Sequence, residues 1–147
     1  MQYDEVLLFL VFNSPFSILH FQFSIKTKRT MKTNLIHDKS YAFALRIVKA
    51  YKYLIYEKKE FVLSKQLLRS GTAIGALIKE SEHAQSKADF INKLSIGLKE
   101  ANETGYWLSL LKDSDFLENI PYNSIKNDCE EIIKILVAII KTSKNSK

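Results

Sequence analysis

A chain of 147 residues and 17.0 kDa, 46% apolar, 26% charged and 12% aromatic, has globular composition. That excludes collagen-like, low-complexity and disordered classes and leaves one domain large enough to fold without a disulfide or a metal. Cys129 is the only cysteine, so an intramolecular disulfide framework and a cysteine-based zinc site are excluded and a reducing, cytoplasmic setting is expected. The net charge of +6 suits a polyanionic partner, although only Arg29, Arg46 and Arg69 carry the planar fork that favours phosphate and base recognition.

Residues 1–30 differ in kind from the rest, being rich in Phe, Leu and Ile with Pro15 among them. Asp4 and Glu5 precede the apolar run where a secretory signal carries cations, and no small-residue cleavage site follows. From Val6 to Ile25, Asn13, Ser14, Pro15, Ser17, His20, Gln22 and Ser24 interrupt what a membrane span keeps apolar over about 20 residues. No membrane partner is expected. Met31 opens a polar lead-in, so residues 1–30 are expected to be a non-native or disordered leader and Met31 the working start of a 31–147 domain.

Beyond Met31 the only proline is Pro121, and helical periodicity recurs in four blocks. The first spans Ser40 to Lys59, with Ala44, Ile47, Val48, Tyr51, Leu54 and Ile55 on one stripe. The second spans Val62 to Gln85, with Leu63, Leu67, Ser70, Ile74, Leu77 and Ser81 at heptad steps; Gly71, Gly75 and Ala76 beside them mark a close neighbour. Ser86 and Asp89 form a capping-box variant that starts the third, whose stripe is Phe90, Leu94, Leu98, Ala101, Gly105 and Leu108, with Trp107 and Leu111 beside it. Pro121 suits the first turn of the last helix, which carries Ile125, Cys129, Ile132, Leu136 and Ile139. Short connections predict an all-α, up-down-up-down antiparallel four-helix bundle.

Few constellations carry chemistry. Four glycines compose neither a phosphate-cradling loop nor a dinucleotide fingerprint, and His20, His37 and His83 join no nucleophile by spacing. Cys129 sits on an apolar stripe and reads as a packed small hydrophobe. Glu80 with His83 is half of a di-iron carboxylate motif whose second copy is missing. Glu100, Glu103, Glu130 and Glu131 could lend carboxylates, but Glu103 and Glu130 lie off the stripes. Neither catalysis, nor a metal, nor a cofactor is expected.

The first helix holds Arg46, Lys49, Lys52, Lys58 and Lys59 against Glu57. Arg46, Lys49, Tyr53 and Tyr56 recur at steps of three and four away from the expected core stripe, so cations and rings alternate on one face. Such a face can hold phosphates and unstacked bases. Two blander readings compete: tyrosines covering the core while lysines solvate the helix, or an interface between subunits.

The stretch from Gln66 to Leu111 contains Gln66, Arg69-Ser70-Gly71-Thr72, Ile74-Gly75-Ala76, Glu80, the Gln85-Ser86-Lys87-x-Asp89-Phe90 helix start, Leu98-Lys99-Glu100-Ala101 and Tyr106-Trp107-Leu108. As a set these resemble the four-helix-bundle proteins encoded in intervening sequences of bacterial 23S ribosomal RNA, a family akin to the accessory protein of diversity-generating retroelements. The resemblance covers Lys39 to about Leu117 and, more loosely, the last helix. Leu77 stands where the family usually has asparagine, and Lys79 where an acidic residue is common.

The resemblance implies a homo-oligomer, a pentameric ring, with no enzymatic activity and a role in nucleic-acid binding. It also supports Met31 as the start. The expected function is a non-enzymatic homo-oligomer that binds structured RNA, or DNA, through Arg46, Lys49, Lys52, Lys58 and Arg69, with Tyr53 and Tyr56 stacking. The alternative is a scaffold or accessory subunit that binds a partner protein without touching nucleic acid.

Overall fold

The computed structural model describes residues 28–146, so the expectation for the leader lies outside the described residues except for 28–30, which are helical. Four helices follow in order: α1 (Lys28–Tyr56), α2 (Leu63–Ser81), α3 (Lys87–Asp113) and α4 (Asn119–Asn145). Each packs against the next and α4 returns to α1, with the α1–α4 contact the slightest of the four. Among the described residues there is no strand, and the antiparallel four-helix bundle is as expected. No helix among them is long and apolar enough to cross a membrane.

Local chemistry explains most boundaries. Ser86 Oγ accepts the Asp89 N–H at 3.1 Å and the Asp89 carboxylate accepts the Gln85 N–H at 3.1 Å, so the expected box starts α3. Fixing Gln85 and Ser86 in this way ends α2 at Ser81, four residues before the expected end, through a last turn tightened to His83 N–H→Glu80 and Ala84 N–H→Ser81. α1 begins earlier than expected because its buried heptad row starts upstream, as Ile36, Ser40, Phe43, Ile47, Ala50 and Leu54. Across the start of that row, His37 Nε2 lies 3.0 Å from Glu82 at the end of α2, and Lys79 lies 2.5 Å from the same carboxylate.

The stripes hold unevenly. On α4, Ile125, Cys129, Ile132, Leu136 and Ile139 are all buried. On α2, Leu67, Ser70, Ile74 and Ser81 face inward, but Ile78 replaces Leu77. On α3, Leu94, Ala101, Gly105 and Leu108 are buried, while Phe90 and Leu98 pack at the core's edge. α1 departs most. Ile47 and Leu54 are buried, yet Ala44, Val48, Tyr51 and Ile55 are only half-buried on its outward side. The helix is rotated relative to its expected stripe.

The residues that carried the family resemblance turn out to join helices. The Ser70 and Thr104 hydroxyls meet at 3.0 Å inside the α2–α3 seam. Arg69 Nη2 donates to Glu103 at 2.6 Å, and the same carboxylate oxygen accepts the Trp107 indole N–H at 3.1 Å. At Gly71, α2 comes so close to α1 that an added Cβ would lie 2.8 and 2.9 Å from the two γ-carbons of Ile47, which is fully buried and has nowhere to move.

Gly71→Ala is therefore expected to destabilise the fold by ~1–2 kcal/mol, overpacking outweighing the helix propensity that alanine adds. Ile47→Ala should relieve the clash, so urea unfolding of the two single variants and the double will be non-additive. A Gly71→Ala protein as stable as the parent would show that α1 can withdraw from α2 at no cost.

Candidate functional site

Every seventh residue along the inner flank of α1 is Lys39, Arg46 and Tyr53, and all three are buried. They face α4. Arg46 Nη1 donates to Asp128 Oδ2 and to the Ser124 carbonyl at 3.3 Å, and Nη2 donates to the Ser124 hydroxyl at 2.8 Å. Lys39 Nζ lies 2.8 Å from Glu131. The Arg46 and Asp128 side chains are 4% and 8% exposed. Burial pushes the Asp128 carboxyl above its ordinary value, against the pull of the Arg46 guanidinium.

Two expected site residues are thereby corrected. The spacing sets Arg46 and Tyr53 on the outward face with Lys49 and Tyr56, but the rotation of α1 turns them into the bundle. The physical reason lies in α4: its Asp128 and Ser124 match the guanidinium fork, and a buried cation goes where such a partner exists. Arg69 stands apart from the α1 face, on the α2–α3 side with Glu103.

What the rotation leaves outward on α1 is partly basic and partly apolar. Lys52 and Tyr56 are exposed, and Lys49 is half-buried. Lys58, just past the helix, sets its ammonium 5.7 Å from the centroid of the buried Tyr53 ring, a cation–π contact. Tyr41, Leu45, Val48 and Ile55 run along the same side, with Tyr41 69% and Leu45 47% exposed. Next to them a groove of about 630 Å³ between α1 and α2 is lined by Tyr41, Ala44, Thr72, Gly75 and Ala76, with the charged Asp38, Lys79 and Glu82 also on its wall.

The turn joining α1 to α2 contains neither glycine nor proline, yet it is tightly held. Lys59 adopts a left-handed backbone, φ 55°. The buried Glu60 carboxylate accepts the N–H groups of Val62, Leu63 and Ser64 at 2.9, 2.8 and 2.6 Å, and the Ser64 hydroxyl donates to the Glu60 carbonyl at 2.7 Å. Burial disfavours the Glu60 anion, but these donors outweigh it and hold the carboxyl below its ordinary value. Phe61 and Val62, inside this frame, are 53% and 70% exposed.

Elsewhere the chemistry is structural. Glu80 pairs with Lys93 at 2.6 Å, His83 is exposed, and among the described residues no three His, Cys, Asp or Glu side chains gather as a metal would need. The Cys129 thiol donates to the Ala101 carbonyl at 3.2 Å, and burial pushes its pKa up to about 12. Sequence reading missed Asp128, Phe61, Val62 and the capping role of Glu60. The seven-residue spacing of Lys39, Arg46 and Tyr53 signalled a second buried row, and Glu60 four residues before Ser64 signalled a capped turn.

Comparison with known proteins then adds a family. The family described as 23S rRNA-intervening sequence protein matches residues 32–138. Among solved structures, the chain is similar to a crystal structure of a protein of unknown function from the S23 ribosomal protein family of Bacteroides thetaiotaomicron. The two are 61% identical with a TM-score of 0.75, over 76% of this chain and 99% of the other. No curated protein matches.

Removing one partner of the buried pair strands the other charge, so Asp128→Ala is expected to cost ~3–5 kcal/mol in chemical denaturation. The apolar double variant Arg46→Met/Asp128→Leu should recover most of that loss; failure to recover would mean that the charges themselves are needed for folding. The turn makes a pH prediction. The folded Glu60 carboxyl titrates below the 4.5 of an ordinary glutamate. Its ionic contribution is thus complete above that pH and is lost as the pH falls through the folded value. The stability difference between parent and Glu60→Gln should be ~1–2 kcal/mol near neutrality and shrink in acid. A pH-independent difference would remove the carboxylate's ionisation from the cap.

Proposed function

Because the chain belongs to the 23S rRNA-intervening sequence protein family, we propose that it is a non-enzymatic, cytoplasmic homo-oligomer that binds nucleic acid, RNA first, with α1 serving both assembly and binding. The observation that carries this reading is the outward side of α1, where Tyr41, Leu45, Val48 and Ile55 form a second apolar stripe ending in Lys52, Tyr56 and Lys58. A helix that buries one stripe in its own bundle and presents another to solvent has an unpartnered face. A second copy supplies both the matching stripe and the groove beside it. A ring of five would repeat the basic end of α1 five times, and weak phosphate contacts would then act together. The names of the family and of its Bacteroides relative point to RNA as the polyanion.

A protein-binding scaffold is the second reading, favoured by the withdrawal of Arg46 and Tyr53 into the bundle. One experiment separates the two. Light scattering on purified protein is expected to give an integral multiple of the subunit mass, five under the ring reading, and Leu45→Glu should yield a monomer of unchanged helicity. For structured RNA, affinity should fall steeply with salt, and Lys52→Glu/Lys58→Glu should weaken binding and flatten the slope while the oligomer persists. An oligomer that binds no RNA at low salt would overturn the nucleic-acid reading and leave the scaffold.

A further inference from the structure

The turn between α1 and α2 holds two large apolar side chains in water. Phe61 and Val62 are 53% and 70% exposed, and Tyr56, at the end of α1, is 65% exposed. Hydrophobic groups left in a loose loop need no explanation, but this turn is fixed by a buried carboxylate that binds three successive backbone N–H groups. The Glu57 and Lys58 N–H groups are also satisfied, by the Tyr53 carbonyl at 2.9 and 3.3 Å, and the Glu60 N–H by Leu54 at 3.0 Å. Lys59 is kept left-handed, a conformation that costs a lysine energy and persists only where the surroundings impose it. The turn is a preorganised platform rather than a hinge.

Its charge is one-sided. Lys58 and Lys59 belong to the turn, and Lys52 stands one helical turn before Tyr56 on the same side of α1. Glu57 is the one exposed acidic side chain of the turn, since Glu60 is buried. The antiparallel topology brings the α3–α4 connection to this same end of the bundle, and that connection is acidic: Asp113, Asp115 and Glu118 are exposed, with Lys112 beside Asp113 at 3.3 Å. One half of the end is thus basic and apolar and the other half acidic.

We propose that the α1–α2 turn is a binding platform for unpaired nucleotides, on which Tyr56 and Phe61 stack bases while Lys52, Lys58 and Lys59 hold the flanking phosphates. This rests on the nucleic-acid reading above and narrows it to single-stranded or looped RNA. Rings beside cations are the recurring means of holding unstacked bases, and stacking tolerates any sequence. Duplexes keep their base faces hidden, so Phe61 and Tyr56 gain little from them. A flat anionic membrane also attracts lysines and apolar side chains, but it would press against the acidic connection at the same end, whereas a single strand can follow the basic half alone.

The test is fluorescence anisotropy with the full chain, using a labelled 12-nucleotide single-stranded RNA, the same sequence as a duplex, and vesicles of phosphatidylglycerol and phosphatidylcholine. Phe61→Ala is expected to weaken single-strand binding about tenfold, with duplex binding and the salt slope unchanged. Phe61→Tyr should restore it. Phe61 is half-exposed, so the variant should fold as the parent does, and circular dichroism checks this. Single-strand affinity unchanged by Phe61→Ala, with duplex bound equally well, overturns the platform and leaves the broader nucleic-acid reading standing. Binding to neither RNA overturns both. Loss of vesicle binding in Phe61→Ala, with RNA unaffected, assigns the turn to a lipid surface instead.

Discussion

The buried ion pair between Arg46 and Asp128 is the contact on which the rest of this bundle turns. The α1–α2, α2–α3 and α3–α4 seams are closed mainly by apolar side chains, but α1 and α4 meet most sparsely, and charge and hydrogen bonds close that seam. A buried pair adds little net stability over an apolar replacement, because desolvating both charges offsets their attraction. Its effect here is orientational. A guanidinium that must meet Asp128 and Ser124 allows α1 one rotation about its axis, and Lys39 with Glu131, two turns away, fixes the same angle.

That angle decides what the molecule offers to others. With Arg46 and Tyr53 turned inward, the outward side of α1 becomes Tyr41, Leu45, Val48 and Ile55 with lysines toward its end. The close approach at Gly71 locks the other flank, since Ile47 fills the space where any side chain would stand. α1 is gripped from two sides, by overclose packing on α2 and by charge on α4. Its remaining side is left outward, and it is on that side and its end that the proposed assembly and recognition rest.

The polar groups show how much of the chain's charge is structural. Arg69 and Glu103 tie α2 to α3, Glu80 meets Lys93 across the same pair of helices, and Glu60 caps α2 from within the turn. Once these are set aside, the positive charge left at the α1–α2 turn is small in number but local, and it lies beside exposed rings carried on a tightly hydrogen-bonded backbone. Function in a protein of this composition depends on where a few unspent groups collect more than on the net charge of +6.

The number and order of the helices, the start of α3 at Ser86 and Asp89 and the apolar stripe of α4 from Ile125 to Ile139 were legible in the amino-acid sequence, because each follows from local periodicity or a side chain bonding its own backbone. The rotation of α1 was not. That helix has apolar residues on two sides, Ile47 and Leu54 on one and Ala44, Val48, Tyr51 and Ile55 on another, and periodicity cannot say which side its own bundle will cover. The choice depended on a carboxylate 82 residues away, Asp128 for Arg46, and on the backbone approach at Gly71. Lys49, Lys52, Tyr56 and Lys58 of the expected basic face remain accessible at least in part, while Arg46 and Tyr53 went to the interior. The exposure of Phe61 and Val62 likewise emerged only when Glu60 folded beneath them. Local pattern determined the elements, and long-range pairing of charged and close-packed groups decided which faces were left for function.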